Sequence, residues 1–285
     1  MATQLTGVSE TLLIPLATRI MLTQLGDPIV HDPQAEKIIE KLQLDVSRFI
    51  SPPKGISERL HIHGVAVRFR FFDQVVTRFL EKHPDGTVIN LGSGLCTRFG
   101  RLDNGRCHWF EVDMPEVIAL RRKAVSETDR HLFIPGSVLE TDWITKIPVS
   151  HEQHYLIICE GLLMYFSRDE VNRLFSVIAE NFPHAELATD IIGRVFVKHS
   201  RRHPHLPKTQ ARLDWAIDHP DELKQFGIPL TISEHFSMLD RQKERLGWLN
   251  ILRAIPLFGK LYQFVDFRFD TYPNGHEGTS MHPGK

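Results

Sequence analysis

The residues best suited to do chemistry begin with Asn90-Leu-Gly-Ser-Gly-Leu-Cys-Thr-Arg98, which follows the apolar run TVINL at 87–91. Gly92 and Gly94, on either side of Ser93, let the backbone turn tightly and let a ligand approach with no Cβ in the way. The third glycine of a dinucleotide fingerprint is absent, since Thr97 holds its place. Alone, this GxG describes an ordinary strand-to-helix turn equally well. Asp113 closes the run CHWFEVD, 21 positions after Gly92. A carboxylate at that distance can accept both hydroxyls of a ribose. Its other reading is a cap for a helix starting at Pro115, with Glu116 three residues on.

Further candidates lie before and after this pair. Glu160, in EGLLMYF after the apolar run YLIIC, is expected at the same sheet edge, where it would hold a cationic or amino group. Its alternative is a surface loop. Tyr165 offers a hydroxyl and a π-face, or plain packing. Arg68, off the apolar stripe of a long helix, suits a bidentate grip on a carboxylate. A solvated helix face is the alternative, and Arg70 and Arg78 are placed there. Two His-x-His pairs, His61/His63 and His203/His205, sit in helical or proline-rich context without a third ligand at a recognisable distance, and HExxH is absent, so no metal is expected. GxSxG and Walker lysine motifs are also missing, which excludes serine-hydrolase and P-loop chemistry.

Alternating elements must position these residues. Residues 9–25 and 32–42 read as helices around Gly26-Asp27-Pro28, the second opened by Asp32 as N-cap and Pro33 as first helical residue. A long helix is predicted over 58–82, with Val65, Phe69, Phe72, Val76, Phe79 and Leu80 at spacings of three and four. Strands are predicted at 87–91, 107–112, 131–134, 155–159 and 186–192. Helical stretches lie between several of them, the clearest at 167–182, where Ser167 and Glu170 form a capping box. This alternation implies right-handed βαβ units and a doubly wound, mostly parallel α/β sheet. The expected division is a helical N-terminal cap (1–84), an α/β core (85–193), a basic, histidine- and proline-rich lid insertion (194–227), a C-terminal antiparallel hairpin with an amphipathic helix at 245–255 (228–270), and a mobile tail (271–285).

Composition bounds the function. At about 150 residues per domain, 285 residues suggest two domains or one enlarged α/β domain. With 34 Lys+Arg against 35 Asp+Glu, the formal charge of −1 gives no general reason to expect nucleic acid or an anionic membrane as partner. Protonating all 16 histidines would take it from −1 to +15, so behaviour below about pH 6.5 should differ from that at pH 8. Cys96, Cys107 and Cys159 lack CxxC spacing and read as reduced thiols. No basic leader or long apolar run is apparent, so a cytoplasmic protein without a membrane span is expected.

VINLGSGLCTR, WFEVDMPEVIALRRK and EGLLMYF, in this order, resemble the leucine carboxyl methyltransferase family, and within it the bacterial branch of tetracenomycin-type polyketide O-methyltransferases. The segments TLLIPLATRI…GDPIVHDPQAEKII and GVAVRFRFFD are similar to that branch too. The resemblance implies a Rossmann-like class I methyltransferase fold: a seven-stranded sheet, a helical cap and a lid. It implies S-adenosylmethionine as donor, leaving S-adenosylhomocysteine. By position, Arg68 would meet the methionine carboxylate, Gly92 would lie against the methionine part, Ser93 and Gly94 would also bind the cofactor, and Asp113 would bind the ribose. Val138 and Leu139 would flank the adenine, and Glu160 would hold the amino-acid end near the methyl. This chain departs from many members at Cys96, where they carry Asp, and at Val138, which offers adenine no carboxylate.

The expected reaction is O-methylation of a small, anionic acceptor such as a polyketide. A carboxylate, with a pKa of about 4, is ionised at neutral pH and needs no general base. A phenol would need one, from Tyr165 or a histidine of 199–205. Arg68 and Tyr165 are therefore the candidate catalytic residues, and Arg201, Arg202 and Lys208 would steer the acceptor. Two alternatives stay open: a regulatory protein that binds the cofactor without turnover, and a nicotinamide-dependent oxidoreductase.

Overall fold

The computed structural model describes residues 11–50, 53–150, 152–182, 184–200, 203, 205, 206 and 211–270. The predicted tail at 271–285 and the steering residues Arg201, Arg202 and Lys208 lie outside the described residues. Among the described residues three α-helices come first: α1 (Leu13–Gln24), α2 (Pro33–Leu42) and α3 (Ile56–Lys82). Asp32 caps α2 as its sequence indicated, accepting from the Ala35 amide at 3.3 Å with Pro33 at the first turn.

The chain then alternates through β1 (Thr87–Leu91), α4 (Arg98–Leu102), β2 (His108–Asp113), α5 (Pro115–Ala124), β3 (His131–Pro135), β4 (Tyr155–Cys159), α6 (Arg168–Asn181) and β5 (Glu186–Ile192). The short helix α7 (Arg194–His199), β6 (Leu230–Ser237), α8 (Pro256–Gly259) and β7 (Tyr262–Phe269) complete it. The seven strands form one sheet in the order β3-β2-β1-β4-β5-β7-β6. The first five are parallel, whereas β7 runs antiparallel to both β5 and β6.

Apolar, β-branched residues crowd β1 and β4 because both faces of a parallel sheet are covered. Side chains alternate between two cores. Val88, Leu156 and Ile158 meet Val67, Phe72, Val76 and Phe79 of α3 on one side. Ile89, Ile157 and Cys159 meet Val171, Leu174, Phe175 and Ile178 of α6 on the other. The predicted Ser167–Glu170 capping box starts α6. A separate cluster packs Leu16 and Ile20 of α1 and Ile38 of α2 against Leu95 and Leu120, so the cap helices brace the loop after β1.

The C-terminal prediction needs correction. β6 and β7 pair antiparallel, but a long connection separates them, and it is β7 that joins the parallel part of the sheet. No regular amphipathic helix spans 245–255. Residues Lys243–Ala254 form a 3-10 run broken at Gly247 (φ 53°, ψ −127°), which turns Leu246 and Leu249 inward and leaves Trp248 64% exposed.

Candidate functional site

The sheet order reverses direction between β1 and β4, the place where ligands bind open α/β sheets, outside the carboxyl ends of the strands. A cavity of about 720 Å³ lies there. It is lined by Arg68, Gly92, Ser93, Gly94, Asp113, Val138, Glu160 and Tyr165, so eight of the nine predicted residues converge. Leu139 does not join them: Ser137 Oγ takes its amide, the chain turns, and Leu139 packs against the core below the sheet.

The glycine loop is built as its sequence requires. Gly92 (φ +66°) and Gly94 (φ +52°) both occupy the left-handed region. A Cβ on Gly92 would also lie 2.7 Å from the Leu162 side chain. The amides of Gly92 and Ser93 donate to Val112 O at 2.9 and 3.2 Å, which carries the loop across the end of β2. There Asp113 Oδ2 accepts the Gly94 amide at 2.7 Å and Oδ1 accepts the Met114 amide. Helix α5 is capped at Met114 with no side-chain bond, so Asp113 is no helix cap. Burial pushes its carboxyl up to about 6, against the pull of those two amides.

Glu160 anchors the opposite side. Far from a surface loop, it is ion-paired with Arg68 Nε at 3.1 Å and Arg98 Nη2 at 2.8 Å. Burial alone would raise its pKa, but Arg98, Arg68 and Arg19 together hold it at about 2. Nor is Arg68 solvated: its side chain is 13% exposed, 3.6 Å from Asp190, and it donates to the Tyr262 hydroxyl at 3.1 Å. Tyr262 in turn donates to Asp190, whose other oxygen accepts the Gly161 amide at 2.7 Å. Arg78, predicted to be solvated, is 51% exposed although it pairs with Glu234 and Asp266.

Arg98, Arg121, Asp190, Tyr262 and Arg19 were missed in the sequence. Asp190 carried a usable signal, a carboxylate inside the apolar strand ELATDII. Arg98 stood in the glycine motif itself. Arg19 and Tyr262 carried none, because helix α1 and strand β7 show no pattern that marks a site.

A distinct wall faces the loop. His61 and His203, taken from the two His-x-His pairs, approach until Nδ1 and Nε2 are 3.2 Å apart, and His205 packs at 4.7 Å from the His61 ring. His63 instead turns to Met238 O at 2.9 Å. Partners fix the protons. His203 Nδ1 accepts the His205 and Leu206 amides, so its Nε2–H donates to His61 Nδ1. His61 Nε2–H then donates to Thr18 Oγ1, which donates to Ile14 O. Burial lowers the pKa of both rings, His203 to about 3, so they are neutral. Tyr165 donates to Thr11 Oγ1 at 3.2 Å, and burial raises its pKa. Among the described residues no group of three or more His, Cys, Asp or Glu side chains is arranged to hold a metal, and no helix is long and apolar enough to cross a membrane.

A switch-point cavity, a glycine loop and an acidic β2 terminus define a nucleoside-binding, doubly wound α/β protein. The leucine carboxyl methyltransferase family model matches residues 13–179, and the chain belongs to that family. It is 30% identical to the tetracenomycin polyketide synthesis O-methyltransferase TcmP of Streptomyces glaucescens, over 83% of this chain and 85% of that protein. It is 27% identical to the S-adenosyl-L-methionine-dependent methyltransferase dpfgK of Gibberella zeae, over 86% of this chain and 88% of that one. A DUF574 family protein from Streptomyces avermitilis shares the fold, with a TM-score of 0.55 at 12% identity, over 89% of this chain and 97% of that one. The chain is an S-adenosylmethionine-dependent methyltransferase, which sets aside the nicotinamide and non-catalytic alternatives.

The cavity suits that cofactor. Ser93 Oγ and Arg19 Nε are buried in its wall with no hydrogen-bond partner among the described residues, as groups waiting for a polar ligand are. The terminal nitrogens of Arg19 reach Asp32 and Leu95 O, each at 3.5 Å.

Proposed function

We propose that this methyltransferase esterifies a carboxylate oxygen of a small, largely apolar anion such as a polyketide. S-adenosylmethionine supplies an electrophilic methyl group on its sulfonium. Asp113 accepts the ribose hydroxyls and Gly92, Ser93 and Gly94 lie along the methionine part. Val138 supports the adenine, with Leu139 behind it. Glu160 receives the amino group, and Arg68, with Arg19 beside it, takes the methionine carboxylate. Described residues of α1, α3 and α7 line the cavity, among them Pro15, Leu60 and Phe196. In-line displacement disperses charge, so holding the acceptor in line is the main task of the protein.

One observation carries the choice of acceptor. The hydrogen-bond chain through His203, His61 and Thr18 uses every imidazole nitrogen of the first two, and Tyr165 keeps its proton. Groups so occupied suit an acceptor that arrives ionised. A hydroxyl acceptor is the second reading. It would draw on His199, which lines the cavity and points Nδ1 at Val195 O, leaving Nε2 as an acceptor. The test pairs aryl carboxylic acids with matching phenols and follows S-adenosylhomocysteine release with product mass. Base-labile methyl esters support the carboxylate reading; base-stable ethers overturn it in favour of the hydroxyl.

A further inference from the structure

We infer that Arg121 is a positioning residue for the cofactor: its guanidinium, seated on Glu111, locks the glycine loop so that the Gly94 amide meets Asp113. The inference rests on the reading that Asp113 and this loop hold the nucleoside. Arg121 lies on α5 and Glu111 on β2, both essentially without solvent contact, at 1% and 0% side-chain exposure. Glu111 is a fixed anion. It accepts from Arg121 Nη2 at 2.7 Å, Asn90 Nδ2 at 2.7 Å and His131 Nε2 at 3.2 Å. Burial alone would raise its pKa, but Arg121, then His131 and Asn90, bring it below the usual range.

Both terminal nitrogens of the guanidinium also reach the loop. Nη1 donates to Gly94 O at 3.0 Å and Nη2 to Cys96 O at 2.8 Å. Gly94 is thus held at both ends, its carbonyl by Arg121 and its amide by Asp113 at 2.7 Å. A planar fork with several donors can serve two carbonyls and a carboxylate together, which a lysine ammonium cannot do in the same geometry. A residue at positive φ in a glycine loop is costly to order, and here the ordering cost is incurred on folding rather than on binding. Cys96 takes part through its backbone carbonyl, so the clamp does not depend on that side chain.

Arg121→Lys keeps a cation opposite Glu111 and removes the fork. Calorimetric titration of the variant with S-adenosylhomocysteine should show Kd raised about tenfold, equivalent to about 1.4 kcal/mol, and adenosine should weaken by a similar factor. Hydrogen exchange without ligand should accelerate at the amides of 93–97 and stay native in β1 and β2. The stoichiometry reports the folded fraction, and Arg121→Gln, which can reach one carbonyl, stands in if the lysine variant does not fold. Native affinity within about twofold overturns the clamp, as does exchange that rises equally across β1 and β2, the mark of general destabilisation. Asp113→Ala runs beside it. If that variant alone weakens binding, the clamp is wrong; if it binds normally while Arg121→Lys does not, the ribose role of Asp113 is wrong and the loop lock stands.

Discussion

The two walls of the cavity are made of different material. The wall from the glycine loop to Glu160 is a lattice of ionised side chains and oriented backbone groups, in which Arg68, Arg98, Glu160, Asp73 and Asp190 each depend on a partner. The facing wall holds neutral imidazoles and apolar side chains such as Leu60, Phe166, Phe196 and Met238. One wall therefore has fixed requirements in charge and geometry, as the proposed cofactor role of its residues demands. The other is adaptable, because apolar contact and neutral rings constrain an occupant by shape. Substitutions in the first wall should be severe and specific to the cofactor, whereas those in the second should be mild and specific to the acceptor.

The strongest way to break this contrast is Arg98→Met. It takes from Glu160 and Asp73 the buried cation they share, leaving them Arg68 and Arg101, and urea unfolding should show a loss of about 3 kcal/mol, the low end for a broken buried pair. A loss below about 1 kcal/mol would mean that water already screens the lattice. Next comes Asp113→Ala, which should weaken S-adenosylhomocysteine by about 1.5–3 kcal/mol through lost charge-assisted hydrogen bonds. Calorimetry checks it; an unchanged Kd with a lowered Tm would remove Asp113 from the site.

A pH titration of the same affinity sharpens the comparison. The Asp113 carboxyl, at about 6 in the free protein, must be ionised to accept ribose hydroxyls. Binding should hold steady from pH 8 to 7 and weaken on acidification through pH 6, by up to about tenfold per unit below it. In the free protein the sign for stability is opposite. The folded chain keeps a proton that the unfolded chain releases, so this group makes stability fall as pH rises from about 4 to 6. Asp113→Asn should abolish both trends. The smallest effect on the cofactor belongs to the facing wall: His61→Phe strands the buried His203 Nε2–H, so it should cost about 1–3 kcal/mol of stability and change acceptor KM. It should leave the S-adenosylhomocysteine Kd native, and a shift in that Kd would show that the two walls are coupled.

Much of the first wall was legible. Gly92, Gly94, Asp113 and Glu160 each stand at the end of a readable strand, and a parallel sheet delivers every strand end to one edge. Leu139 falls outside the cavity lining because adjacent residues in a tight turn diverge, and sequence position cannot tell which of Val138 and Leu139 faces the cavity. The 245–255 helix failed for a related reason: its apolar spacing was correct, but Gly247 at positive φ ended the periodicity.

The sequence by itself determined what is recorded locally: strand and helix periods, the Ser167–Glu170 capping box and the Asp32 cap, the glycine turn, and the carboxylates that follow strands. Tertiary structure alone decided which charges face one another. Arg98 finds Glu160 62 positions away, His61 finds His203 142 away, and Arg68 finds Tyr262 194 away. No periodicity encodes such pairs, since they arise only when α3, the strand ends and the segment after α7 pack together. Burial then makes each pairing obligatory, because an ionised or polar group removed from water must find its partner inside the fold.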